Sequence, residues 1–174
     1  DILREGETNT VSIPLVGLTD SFIYRNSYDT RPEYYVIGGL VFSPLSRNYL
    51  RLIRHSRIGI SEQRLLYYSD YAKLDSLYEG KNEFIVLIKR LPHSVNTYTD
   101  PYINGIVKNV NGNEISCMQD LVAAFATPSE NFHVVEFEDH PDCLVIDAEA
   151  LPTADSMILN DYRVTESMHL KDAE

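Results

Sequence analysis

The run Tyr34-Tyr35-Val36-Ile37-Gly38-Gly39-Leu40-Val41-Phe42-Ser43, stopped by Pro44, constrains this chain more than any other stretch. Its β-branched and aromatic residues predict a buried strand over 34–43, and the paired glycines Gly38 and Gly39 leave room for another backbone to come close. A second element follows at Val110-Asn111-Gly112-Asn113-Glu114-Ile115. Asn-Gly takes positive φ at little cost, so Asn111-Gly112 predicts a tight turn between two short apolar segments. The turn leads into a helix, because Ser116-Cys117-Met118-Gln119 has the S-x-x-Q form of a capping box. Met118, Leu121, Val122 and Phe125 then recur with helical spacing and give that helix one apolar face. A glycine-bearing strand beside such a helix fits a groove in which an extended segment adds to a sheet edge. The same elements fit the core of some other β-rich domain.

The rest of the chain reads as short elements. Residues 84–91, 105–110 and 114–115 predict strands, and Phe132 to Glu138 with Cys143 to Ala148 predict a hairpin. A final helix is expected near Pro152 to Asp161, with the proline in its first turn. Residues 46–79 read as helical: Ser46 caps a segment holding Tyr49, Leu50 and Ile53, and Ser61 caps the next. In the second helix Tyr67, Tyr71, Leu74 and Tyr78 line up on one side. The spacing predicts a core-facing aromatic stripe, whereas an exposed stripe would mark a docking surface. At the start, Asp1 to Glu7 and Thr10 to Leu15 alternate like the two arms of a hairpin.

Composition bounds the chemistry. With 174 residues, 44% hydrophobic and 24% charged, the chain can bury one sizeable core. A net charge of -11 weighs against binding a phosphate backbone, so no nucleic-acid partner is expected. No apolar run approaches the roughly 18 residues of a membrane span. Cys117 and Cys143 do not make a metal-ligand pattern and are read as small buried hydrophobes. His55, His93, His133, His140 and His169 are dispersed and read as surface or structural residues. Glu136, Glu138, Asp139 and Asp142 gather around His140-Pro141, as at a solvated hairpin tip. No cofactor and no metal are expected. No glycine-rich serine turn with a matching histidine and aspartate is present, so no catalytic residue is assigned and the chain is not expected to be an enzyme.

The segment Asp29 to Leu45 resembles the P-x-Y-Y-x-x-x-G-L-V-F-x-P-L signature that opens the last PDZ domain of Deg/HtrA-type (protease Do-like) serine proteases, in the plant Deg group and its bacterial relatives. The likeness continues through Phe84 to Pro92, Val95 to Tyr98, Val107 to Gly112 and Ile158 to Val164, and closes at His169-Leu170, where the family usually ends in Asp-Leu. It covers roughly residues 29–170. The fold it implies is α+β, mainly β: a PDZ-like, partly open barrel or sandwich with flanking helices. Residues 34–170 would form that domain, with the helical insertion at 46–79. Residues 1–16 resemble the tail hairpin of a preceding PDZ domain, joined by a connection at 17–33. The missing initiator methionine fits a piece of a longer polypeptide.

The resemblance implies a non-catalytic module of a trypsin-like protease that binds peptide segments by strand addition. Its groove would be formed by Tyr35, Val36, Ile37, Gly38, Gly39, Leu40, Val41 and Phe42 on one side. Met118, Leu121, Val122 and Phe125 would form the other. The loop that holds a peptide carboxylate would lie at Tyr35-Val36-Ile37, with Gly38 to Ser43 as the receiving edge. Val36 stands where glycine is usual, which weighs against capture of a free C-terminus. Implied partners are substrate or internal peptide segments, the parent's protease and preceding PDZ domains, and other copies in a homo-oligomer. Tyr67, Tyr71 and Tyr78 are the candidate interface residues. Two readings stay open: a regulatory peptide binder, and an assembly domain whose groove is filled by an internal segment. The family places such proteins in bacterial cytoplasm or periplasm, or in plant organelles.

Overall fold

The computed structural model describes residues 2–4, 6–10, 30–55, 59–71, 81, 83–138 and 140–171. The hairpin at the start is formed by β1 (Ile2–Arg4) and β2 (Glu7–Asn9), with Arg4 opposite Glu7. Gly6 takes φ 85° just before β2, so the return arm begins before Thr10, where the alternation places it. Residues 11–29, which hold most of the expected second arm and the connection, lie outside the described residues.

Two antiparallel sheets make the body. The first has the order β10-β3-β4-β5, from Met168–His169, Tyr34–Ile37, Leu40–Pro44 and Ile85–Arg90. The second has the order β7-β6-β8-β9, from Asn113–Glu114, Val107–Val110, Phe132–Phe137 and Leu144–Asp147. A bridge between Val86 and Ile106 links the sheets, and neither closes into a barrel. The fold is α+β and mainly β, as the sequence predicts.

Strand β5 explains how two layers of core arise. Side chains alternate across a strand. Ile85 and Leu87 therefore enter the main core with Leu40, Phe42, Val110, Leu121 and Val135. Phe84 and Val86 turn the other way and join Leu45, Leu50, Ile53, Leu65 and Tyr68. That second cluster is covered by the helical residues that follow β4. Each fully buried large side chain contributes roughly 1.5–3 kcal/mol.

Helix α1 (Arg47–Arg54) is capped as the sequence predicts, with the Tyr49 N–H donating to Ser46 Oγ at 3.2 Å. Helix α2 (Ile60–Tyr71) departs from expectation. It begins before Ser61, and the Gly59 N–H donates instead to Glu62 Oε2 at 3.0 Å. Its buried line is Leu65, Tyr68 and Ser69. Tyr67 and Tyr71 are 44% and 51% exposed and stack on each other at 5.5 Å between centroids. The core-facing stripe is thereby corrected, because Tyr68 and Leu65 hold the place against Phe84. Leu74 and Tyr78 lie outside the described residues. Glu62 and Tyr49 both meet Asn104, through Asn104 Nδ2 to Glu62 Oε1 at 2.9 Å and Tyr49 Oη to Asn104 Oδ1 at 2.5 Å. Helices α1 and α2 are thus tied to the connection between β5 and β6.

Helix α3 (Met118–Phe125) starts from Cys117, and no capping box with Gln119 forms. Ser116 bonds Asp120 instead: its N–H and its hydroxyl both donate to Asp120 Oδ2, at 3.0 and 2.6 Å. Burial is the largest single effect on Asp120 and pushes its pKa up, but the bonds from Ser116 and Cys117 together outweigh it and hold the carboxyl below its ordinary range. The Met118 N–H donates to Glu83 Oε2 at 3.3 Å. The Asn111-Gly112 turn forms with both residues at positive φ, 52° and 79°. Helix α4 (Leu151–Asp161) carries proline in its first turn. The thiols differ from expectation: Cys143 is exposed and Cys117 half-buried. His133 is buried, which pushes its pKa down.

Candidate functional site

The apolar run at 34–43 is a hairpin rather than one strand. Gly38 and Gly39, at φ 56° and 74°, turn the chain so that Ile37 faces Leu40 and Tyr35 faces Phe42. Tyr35-Val36-Ile37, expected as a loop, is the body of β3. The expected receiving edge fails too, because β4 is paired on one side with β3 and on the other with β5. β3 has β4 on one side and the short β10 on the other, so β10 and β5 are the outer strands of this sheet.

The glycine turn is held from three directions. The Gly38 N–H donates to Asp155 Oδ1 of α4 at 2.6 Å. Asn96 Nδ2, with its residue at 0% exposure, donates to the carbonyls of Gly38 at 2.6 Å and Leu91 at 2.8 Å. The Leu91 N–H closes the ring by donating to the Gly39 carbonyl at 2.7 Å. A Cβ on Gly39 would come within 2.5 Å of both Asn96 Nδ2 and the Leu91 carbonyl oxygen. Burial raises the pKa of Asp155, and the Gly38 N–H partly offsets that. Tyr35 is pushed up to about 12 by burial, with the Asp155 charge adding to it.

The opposing helix does not leave an open apolar trough. Leu40, Phe42, Met118 and Leu121 are fully buried in the main core. Phe125 packs its ring against Phe42 at 5.7 Å and Tyr35 at 6.0 Å. Val122 and Val41 are half-buried, and Ala124, which the spacing does not single out, joins the core in place of Val122. These side chains hold β3 and β4 to α3.

The outer edge of β3 is covered by the chain's own later residues. The turn after α4 passes through Arg163 at φ 55° and returns the chain to β3. Met168 pairs with Tyr35 and His169 with Tyr34, antiparallel. The Val36 N–H donates to the Ser167 carbonyl at 2.7 Å. Leu170 packs on the main core, as Tyr35 does. Upstream, Arg31 pairs with Glu166 at 2.6 Å, and the Tyr34 hydroxyl donates to the Glu166 carbonyl at 3.2 Å. Downstream, the Lys171 N–H donates to Glu33 Oε1 at 3.0 Å, and Lys171 Nζ lies 3.1 Å from Glu33 Oε2. Glu33 is 5% exposed. The sequence reading missed Asn96, Asp155 and Glu33 as determinants here, and no local pattern marks them: each acts on backbone remote in sequence.

A two-sheet body in which a strand edge lies next to an apolar helix and carries an added strand is the arrangement of a peptide-binding β module. The chain matches the PDZ domain family over residues 23–170 and belongs to it. It is 25% identical over 94% of its length to the Arabidopsis thaliana putative protease Do-like 11, mitochondrial. It is 28% identical over 94% of its length to protease Do-like 2, chloroplastic, of the same plant. A serine protease DegP homolog of Plasmodium falciparum is 27% identical over 70% of the chain. The chain spans 24%, 26% and 13% of those three proteins, about a quarter of the first two. Among the described residues no helix is long and apolar enough to cross a membrane.

Proposed function

We propose that this chain is a non-catalytic PDZ module of a Do-like serine protease whose strand-addition edge is filled by its own segment Ser167 to Leu170. The observation that carries the reading is the pairing of β10 on β3, with the Val36 N–H committed to Ser167. A peptide reaching this edge has to displace the resident strand. Binding and release of that strand would then couple ligand state to the protease, either by recruiting substrate or by holding subunits in a resting assembly. The hairpin of β1 and β2 is read as the tail of a preceding PDZ domain.

The exposed stack of Tyr67 and Tyr71 favours the assembly role, since two adjacent half-exposed aromatic rings are a ready docking surface for a second copy. The test of the main reading is an NMR titration of the full chain with an amidated peptide of residues 164–171. Shift changes confined to β3, β10 and the facing side of α3 are expected. Changes elsewhere, with β3 silent, would place the binding surface on another face.

A further inference from the structure

Resting on the reading just proposed, we infer that the β3 edge is built for an internal peptide strand rather than a chain terminus, and that Glu33 makes the distinction. The distinction is made at the downstream end of the edge. Glu33 is held in place by its own backbone, whose carbonyl accepts from Ser43 Oγ at 2.8 Å. Its buried carboxylate takes the N–H of the residue after Leu170 on one oxygen and the ammonium of that residue on the other. A second carboxylate, Glu83, lies near enough that the Glu33 charge adds to the burial which raises its pKa. The end of the edge is therefore the Glu33 carboxylate acceptor, with the Glu83 carboxylate lining the same cavity.

A strand that ended at the position of Leu170 would bring its α-carboxylate to the place where the Lys171 N–H now donates. It would remove the donor that Glu33 uses and set two like charges together in a largely buried setting. A strand that continues supplies an N–H, and a basic residue there supplies the counter-charge. At the other end, Arg31 and the Tyr34 hydroxyl receive Glu166. The partner that fits is thus a non-terminal polypeptide segment with an acid, then an aliphatic residue four positions on, then a cation, as in Glu166, Leu170 and Lys171.

The test uses two labelled peptides of residues 164–170, identical except that one ends in an amide and the other in a free carboxylate. Their dissociation constants for the full chain are measured by fluorescence anisotropy. Competition from the resident strand weakens both equally, so their ratio reports the edge itself. The amide is expected to bind about tenfold tighter or more, and Glu33→Gln to narrow the gap to about threefold or less. A carboxylate peptide that binds the unmodified chain as well as the amide, or better, overturns the inference while leaving strand addition intact. Binding of neither peptide contradicts strand addition and this inference with it. Should Glu33→Gln not fold, Leu170→Ala, which weakens the resident strand, must give the same preference for the amide; loss of that preference overturns the inference.

Discussion

The Val36 N–H donates to the carbonyl of Ser167 at 2.7 Å, joining residues at opposite ends of the domain. Val36 lies in the extended backbone of β3, where a β-branched residue is at ease and no left-handed torsion is asked of it.

The Gly38-Gly39 turn should tolerate no side chain at its second position. Gly39→Ala combines positive φ with close approach to a backbone oxygen. Gly112→Ala has the φ cost alone, since nothing lies within 4 Å of its Cβ. Urea denaturation is expected to place Gly39→Ala about 2 kcal/mol or more below Gly112→Ala. Equal losses would mean that the turn relaxes.

Asp155 should matter as an acceptor rather than as a charge. Its carboxyl pKa is raised by burial, so its ionised form opposes folding; the contribution is most favourable below the ordinary value of 3.8 and declines as pH rises through the folded value. Asp155→Asn keeps an acceptor for the Gly38 N–H and is expected to equal or exceed the parent in stability at neutral pH. Asp155→Ala leaves that N–H unpaired and is expected to lose about 1–3 kcal/mol by chemical denaturation. A neutral alanine variant would show that water replaces the carboxylate.

His133 sets an acid limit. Burial lowers its pKa, and Asn111 Nδ2 lies 3.0 Å from Nδ1, an approach suited to the neutral ring. A lowered folded pKa in a base gives stability that is full above the ordinary value of 6.5 and is lost as pH falls through the folded value. Thermal melts from pH 7.5 downward should show Tm falling below about pH 6.5, with the slope reduced in His133→Phe. An unchanged slope would assign the acid sensitivity to other groups.

Tyr71→Asp is expected to leave the melting temperature within a few degrees, because the ring is half-exposed, while lowering the mass of any assembly seen by light scattering. Unfolding instead would return this residue to a packing role.

Much of the fold can be read from local pattern. Phe84 to Ile88 is a short apolar run between Glu83 and Lys89, so the place of β5 is evident; the Asn111-Gly112 turn follows from backbone preference alone. The Gly38-Gly39 turn was hidden because the apolar residues on either side of it make one continuous run. In α2 both Tyr67/Tyr71 and Leu65/Tyr68 have helical spacing, and the choice between them is made by Phe84 and Val86 from a distant strand. β10 leaves almost no local signal: Met168-His169 is a strand only because β3 offers it an unpaired edge. The site depends on that long-range pairing, which is why Glu33, Asn96 and Asp155 were out of reach.

The most direct test of the resident strand is to lock it. Tyr34 and His169 face each other across the β3–β10 pair, so Tyr34→Cys with His169→Cys, in a chain with Cys117 and Cys143 replaced by serine, places two thiols within reach of a disulfide. Binding of the amidated 164–171 peptide is then measured in the oxidised and reduced forms of one sample. The account predicts binding after reduction and at least about tenfold weaker binding after oxidation. Equal binding in the two forms would contradict it, because the peptide would then be using a surface the resident strand does not fill.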